Sequence, residues 1–226
     1  MHIEPGLVAG AKIVLSYATA AAAGGYTLKL ALDGIREYGV PKLLLRSLVG
    51  TGLVFSFFEI LPHWPVGVSE VHLILGTTLF LILGAAPAAI GLAAGLLIQG
   101  LFFAPFDLPQ FGMNVTTLLV PLFGVQALAH KVIPRETAYV DLGYTQVLAL
   151  SVAYQGGVVA WVAFWALYGQ GFGAANLASI GSFGLAYMLV VLVEPLIDLL
   201  VLAGAKAARG LSRHGLFSHR LHHAAA

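Results

Sequence analysis

The chain has 226 residues, of which 59% are hydrophobic and only 9% charged, and it contains no cysteine. Soluble domains carry about 25% charged residues, so this composition excludes nearly every water-soluble globular protein. The lack of cysteine excludes disulfide scaffolds, thiolate metal sites and cysteine nucleophiles, and a net charge of +1 gives no reason to expect a nucleic-acid partner. An integral membrane protein with six or seven helical spans remains.

Seven segments are apolar enough to cross a bilayer, which requires roughly 20 mainly apolar residues. They lie near residues 7–28, 43–62, 66–84, 88–105, 113–130, 146–168 and 176–203. The third and fourth are separated only by the stretch 84–87, which contains Gly84 and Pro87. A single helix over 66–104 would be about 60 Å long, twice the membrane thickness, so a tight turn is predicted there. The fold class predicted is all-α and polytopic, with about seven transmembrane helices.

The basic residues predict the orientation, because lysine and arginine in short loops favour the cytoplasmic side. With seven spans and the N-terminus outside, ten of the eleven basic residues lie at or inside the inner boundary. These ten are Lys29, Arg36, Lys42, Arg46, Lys131, Arg135, Lys206, Arg209, Arg213 and Arg220. Six spans with the same loops would destroy this separation. The C-terminus is therefore expected in the cytoplasm, and the first span, which lacks a signal-peptide pattern, is expected to remain uncleaved.

The first two residues form a compact set of metal ligands. The Met1 amine, the peptide nitrogen that follows it and the His2 imidazole can all bind one cation. Three coplanar nitrogens suit the square-planar or tetragonal geometry of Ni(II) or Cu(II), and Co(II) with more distortion. A fourth ligand is required, and the histidines expected on the outer side are His63 and His72.

His72 is the stronger candidate for the fourth ligand. It is predicted to lie inside the third span, where an ionisable residue is costly and therefore a functional candidate. The alternative is a histidine that hydrogen-bonds between helices. His63 precedes Trp64 and Pro65 in an outer loop, where an interfacial anchor is the expected role.

Several motifs together resemble the substrate-binding membrane subunit of cobalt and nickel energy-coupling-factor transporters. They are Met1-His2-Ile3 with Gly6, Ser69-x-x-His72, Gly-Leu-Leu-Ile-Gln-Gly-Leu-Phe-Phe at 95–103, and Phe111-Gly-Met-Asn114. The resemblance implies that Met1, His2 and His72 hold the metal and that Asn114 helps to position the N-terminal segment, with Ser69 as a second supporting residue. His72 is followed by Leu-Ile-Leu-Gly, as in nickel-type relatives, rather than by the Pro-Thr-Gly of the cobalt branch. The choice between cobalt and nickel stays open.

The resemblance also implies partners: a transmembrane coupling subunit, cytoplasmic ATPase subunits and, as a further candidate, a small accessory membrane subunit. The chain has no Gly-x-x-x-x-Gly-Lys-Ser/Thr loop for ATP, so energy must come from another subunit. We therefore expect uptake of cobalt or nickel at the cell (inner) membrane, with the ion as substrate, no cofactor and no enzyme activity. Residues 1–204 would form one transmembrane metal-binding domain, and 205–226 a basic cytoplasmic tail.

The alternative function is a self-sufficient, proton-coupled secondary metal transporter. Glu194 and Asp198 lie four residues apart on one face of the seventh predicted span and could relay protons. However, the chain shows no obvious inverted repeat of the kind that many such carriers have.

Two further charges are expected to form a buried pair. Lys12 and Glu59 lie at similar depths in the first and second predicted spans, and pairing would reduce the cost of burying them. The alternative is that Lys12 extends to the outer surface while Glu59 hydrogen-bonds elsewhere.

Overall fold

A computed structural model describes residues 2–134 and 137–207, which form seven α-helices and one β-hairpin. The helices are α1 (Val14–Tyr38), α2 (Val40–Glu59), α3 (Gly76–Leu83), α4 (Ala85–Phe102), α5 (Phe111–Val132), α6 (Tyr144–Gln170) and α7 (Ala174–Ala207). The antiparallel hairpin, β1 (Trp64–Val66) and β2 (Ser69–Val71), lies between α2 and α3. Short 3₁₀ turns cover Gly10–Ile13, Pro105–Gln110 and Tyr139–Asp141. The predicted basic tail lies almost wholly outside the described residues and stays a prediction.

Glycines with positive φ separate two pairs of consecutive helices. Gly39 (φ 83°) lies between α1 and α2, and Gly84 (φ 97°) lies between α3 and α4. Glycine adopts this backbone region without the steric cost that a side chain brings. The tight turn predicted at 84–87 is confirmed, whereas the gap between the first two predicted spans, 7–28 and 43–62, is reduced to Gly39, because α1 continues to Tyr38.

Five helical segments are long and apolar enough to cross a membrane: α2, α4, Pro105–Val132, α6 and α7. The surface of α7 carries large exposed leucines at intervals of three or four residues, with 60–77% of each side chain accessible. They are Leu185, Leu189, Leu192, Leu196 and Leu200. An apolar stripe of this size on the outside of a helix bundle fits contact with lipid hydrocarbon. The prediction of a mainly helical, polytopic membrane protein is therefore confirmed.

The predicted third span, 66–84, is wrong over more than half of its length. Only Gly76–Leu83 is helical, and these eight residues reach about 12 Å, well short of a bilayer. The residues before them form β2 and an extended segment. Val68 and Ile74 are almost fully buried, so the apolar character of this segment reflects burial against other helices rather than contact with lipid.

The N-terminal segment extends the hairpin by pairing with β2. Ile3 and Ser69 form an antiparallel bridge, and the Glu70 N–H donates to the His2 carbonyl over 3.0 Å. At the tip of the hairpin, Gly67 (φ 63°) packs so closely on α7 that a Cβ there would lie 2.1 Å from the Ser179 carbonyl oxygen. The hairpin, the N-terminal segment and the 3₁₀ turn Pro105–Gln110 together occupy what we call the hairpin end of the bundle.

Small residues bring α2 and α4 into backbone contact. A Cβ on Gly91 would lie 2.8 Å from the Gly50 carbonyl carbon, and a Cβ on Gly95 would lie 2.7 Å from a Val54 methyl group. Because lipid provides no hydrophobic drive for helix association, this close approach of small residues is what holds the two helices together. The small residues of α4 thus form a packing face within the chain.

Gly91→Ala is expected to destabilise the protein by about 1–3 kcal/mol, the usual cost of overpacking, because the added methyl group meets backbone that cannot rotate away. The measurement is the thermal unfolding temperature in detergent. Gly124→Ala is the matched control, since a Cβ at Gly124 in α5 meets no atom within 4 Å. The control should unfold at or slightly above the wild-type temperature, because alanine is the better helix former. Equal effects of the two substitutions would contradict this account of the α2–α4 contact.

Candidate metal centre

Two histidines and one glutamate converge at the hairpin end of the bundle. Glu70 Oε2 lies 2.7 Å from His2 Nδ1 and 2.8 Å from His72 Nε2. One ligand atom from each of the three residues lies within 4.8 Å of the other two. The histidine side chains are 4% and 0% exposed, whereas that of Glu70 is 21% exposed. The cluster is therefore shielded from solvent around the two histidines and accessible to solvent at Glu70.

The local backbone explains why Glu70 and His72 act together. Residues 69–71 form β2, and the chain stays non-helical until Gly76. In extended backbone, residues two apart lie on the same face, so both side chains point toward His2. Helical geometry would place them about 200° apart around the axis, and for that reason the sequence interpretation, which assumed a helix, did not select Glu70.

The two predicted supporting residues both contact the N-terminal segment. Asn114 Oδ1 accepts a hydrogen bond from the Ile3 N–H at 2.8 Å, and Ser69 Oγ donates to the His2 carbonyl at 2.9 Å. Both side chains are buried. The structure thus brings His2, His72, Ser69 and Asn114 together, while Met1 lies outside the described residues.

Burial and hydrogen bonding fix the protonation of the cluster at neutral pH. Desolvation lowers the pKa of His2, and the hydrogen bond to Glu70 only partly offsets it. Desolvation lowers the pKa of His72 further, to well below its usual value. For Glu70, burial alone would raise the pKa, but the hydrogen bonds from both histidines outweigh it and hold the pKa well below the usual range. The favoured state is two neutral imidazoles that donate to one carboxylate, and neutral imidazole is the form that binds metals.

Aromatic rings and a second carboxylate surround the two histidines. The His63 ring stacks on the His72 ring, with centroids 4.8 Å apart and an interplanar angle of 13°. Phe58 packs beside both histidines, with its ring centroid 5.3 Å from that of His72 and 6.5 Å from that of His2. Asp107 Oδ2 lies 3.8 Å from His2 Nε2, in the range of a long ion pair. The His63 stacking was not predicted from the sequence, which assigned that residue to a membrane interface.

Glu194 and Asp198 of α7 bind the start of α3, immediately after the histidine. Glu194, which is fully buried, accepts hydrogen bonds from the Ile74 N–H and from Gln155 Nε2, and Asp198 accepts one from Thr78 Oγ1. Leu75, between these contacts, has φ 54°, a conformation that costs a non-glycine residue roughly 1–2 kcal/mol. The two carboxylates therefore fix a strained backbone turn that carries His72.

The predicted Lys12–Glu59 pair is wrong. Lys12 lies in the 3₁₀ turn before α1 and is exposed, and its Nζ donates to the carbonyls of Tyr168 and Gly169 at 3.0 and 2.9 Å. Glu59 instead accepts a 3.3 Å hydrogen bond from Gln99 Nε2, and no ion pair joins the two among residues 2–134 and 137–207. The physical reason is that α1 begins seven residues later than expected, so Lys12 needs no buried partner. It stabilises the free carbonyls at the C-terminal end of α6.

Comparison with known proteins identifies the family. A family model described as the cobalt uptake substrate-specific transmembrane region matches residues 2–210. The chain belongs to this family. Its members are membrane components of metal uptake systems and not enzymes, so the protein is a multi-pass membrane component of transition-metal uptake.

Two solved structures share the fold, each with a TM-score of 0.67 and 20% identity. One is a transition metal transporter, and the alignment covers 98% of this chain and 96% of the transporter chain. The other is a truncated transition metal transporter, and the alignment covers 90% of this chain and 97% of the transporter chain. No curated protein matches the chain.

Proposed function

We propose that this chain binds cobalt or nickel at the hairpin end and delivers it as the substrate-specificity subunit of an energy-coupling-factor transporter. The observation that carries the proposal is the buried cluster of His2, Glu70 and His72, whose ligand atoms lie within 4.8 Å of one another. Imidazole nitrogens suit first-row transition metals, and the family is one of cobalt uptake. The hairpin end would face the outside and the C-terminal end of α7 the cytoplasm, as the distribution of basic residues favours.

His2 and His72 are the proposed protein-side ligands, and the Met1 amine with the following peptide nitrogen would complete the set. Ser69 and Asn114 support the proposal because both bind backbone groups of residues 2–3 and so hold the His2 imidazole beside His72. A chelating segment that is tied down before the ion arrives loses less conformational entropy on binding. The single-domain organisation over residues 1–204 remains part of this proposal.

Uptake by the chain alone, compared with uptake in the presence of its partners, tests the function. Cells that lack their own uptake systems would express this chain with or without a coupling subunit and ATPase subunits, and cobalt and nickel accumulation would be measured. We expect accumulation only with all subunits and none when the ATPase lacks its phosphate-binding lysine. Accumulation by the chain alone, driven by a pH gradient, would instead favour a proton-coupled secondary transporter.

An extension before Met1 is expected to abolish high-affinity binding. Any added residue converts the amine into an amide, whose nitrogen must lose its proton before it can bind a metal, and moves the free amine out of the chelate ring that it forms next to His2. Isothermal titration of cobalt and nickel into the purified chain provides the measurement, with a tag after Ala226 as the control. If the N-terminally extended chain binds as tightly as the control, Met1 does not belong to the ligand set.

A further inference from the structure

Glu70 places one oxygen atom at the point where the two histidines converge. Its Oε2 is within 2.8 Å of both His2 Nδ1 and His72 Nε2. A transition metal bound to both nitrogens would lie about 2.0–2.1 Å from each, as for zinc and imidazole. The Glu70 oxygen is already within hydrogen-bond distance of both nitrogens, so it is placed to join them as a ligand of the ion.

We infer that Glu70 is a direct ligand of the transported ion, and that its oxygen makes the site a mixed nitrogen–oxygen centre that is less selective for nickel over cobalt than four nitrogens in a plane. The inference rests on the proposed function, since it concerns the ion bound by His2 and His72. It adds a specificity-determining residue that the nitrogen-only ligand set lacks.

Charge supports coordination by Glu70. A divalent ion in a cluster whose histidines are 4% and 0% exposed loses most of its hydration, and neutral imidazoles compensate none of its charge. The Glu70 carboxylate, in contact with the ion, neutralises half of that charge. Asp107, 3.8 Å from His2 Nε2, lies on the far side of the imidazole and can accept a hydrogen bond from that nitrogen through one bridging water once Nδ1 binds the metal.

Coordination geometry connects Glu70 to selectivity. Four nitrogens in a plane suit Ni(II) and Cu(II), whose preference is square-planar or tetragonal. A carboxylate oxygen raises the coordination number above four and adds a harder donor. Co(II), which has no comparable planar preference, gains more from the extra ligand than Ni(II) does.

The experiment compares cobalt and nickel binding, by isothermal titration in detergent, in the wild-type chain and in Glu70→Gln. We expect cobalt affinity to fall at least about tenfold, the lower bound for loss of even an outer-shell partner. Nickel affinity should fall less, so that the nickel-to-cobalt affinity ratio rises. The visible d–d absorption of bound Co(II) should also change, because an oxygen ligand is lost.

Two controls separate coordination from charge and from position. Asp107→Asn removes a nearby carboxylate that does not bind the ion, so it should lower both affinities without changing the Co(II) spectrum. Glu37→Gln makes the same substitution on the cytoplasmic half of α1 and should leave binding unchanged. If Glu70→Gln lowers both affinities equally and leaves the Co(II) spectrum as in the wild type, Glu70 only positions the histidines and the inference is overturned.

A measurement on the wild-type chain keeps the test valid even if Glu70→Gln fails to fold. The infrared difference spectrum between cobalt-bound and cobalt-free protein should show the shift of one carboxylate stretching band. Absence of a carboxylate shift would also overturn the inference. If the wild-type chain binds neither cobalt nor nickel, it is the proposed function that fails, an outcome distinct from both of these.

Discussion

Substitution of His72 by alanine is expected to weaken cobalt and nickel binding by more than about a hundredfold, and substitution of His2 should do the same. Loss of an outer-shell partner already costs 10–100-fold in metal affinity, and these two residues are the proposed ligands themselves. Each substitution also leaves Glu70 as an ionised, half-buried carboxylate without one of its two donors. Isothermal titration of each purified variant measures the loss.

Two other histidines serve as controls for this result. His63→Ala should have a mild effect, because its exposed ring stacks on His72 without offering a nitrogen to the cluster. His130→Ala should have none, since His130 lies in the last turn of α5, remote from the hairpin end. A His72→Ala chain that binds metal as well as His130→Ala would remove His72 from the site.

Glu194→Ala is expected to lower both the stability of the protein and its affinity for metal. The substitution leaves the Ile74 N–H and the Gln155 side chain without their acceptor, and each buried unsatisfied group costs about 1–3 kcal/mol. The turn at Leu75 loses one of the two carboxylates that hold it, so His72 is less firmly fixed beside His2. Thermal unfolding in detergent and metal titration on the same sample measure both effects.

Glu37→Ala provides the comparison, because Glu37 is an exposed glutamate near the end of α1. It should change neither the unfolding temperature nor the affinity. Glu194→Gln should be intermediate, since the amide keeps the shape and one acceptor oxygen but turns an N–H group toward existing donors. A Glu194→Ala chain as stable as Glu37→Ala would show that the hydrogen bonds from Ile74 and Gln155 contribute nothing to stability.

Most of the helix bundle follows from hydropathy, and the exceptions have a common physical cause. Long apolar runs predict α2, α4, α5, α6 and α7 because lipid and protein interior both select apolar side chains. Hydropathy does not distinguish these two environments, so the buried segment 66–75 was predicted to be a transmembrane helix. The break at 84–87 was predictable because glycine adopts a positive φ at little cost and proline disfavours helix at the residue before it.

The incorrect prediction of a helix at residues 66–75 also explains why Glu70 was not predicted as part of the candidate site. His2 and His72 could be selected by their chemistry alone, whereas Glu70 becomes a partner only when residues 70 and 72 are extended. Lys12 illustrates the related problem of helix ends: its depth was inferred from a helix start that tertiary contacts with α6 displace. Candidate ligands that are recognised by residue type alone were thus predictable. A candidate whose position depends on the local backbone conformation was not.

The hydrogen bonds between α7 and the turn after His72 also have a consequence for the order in which the protein assembles during synthesis. Ile74 and Glu194 are separated by 120 residues, and Ile3 and Asn114 by 111. The ribosome must therefore complete most of α7 before the turn that carries His72 gains its last support. A nascent chain halted after α5 would contain every proposed ligand and still lack that support, so metal binding should appear only once the seventh helix has been inserted.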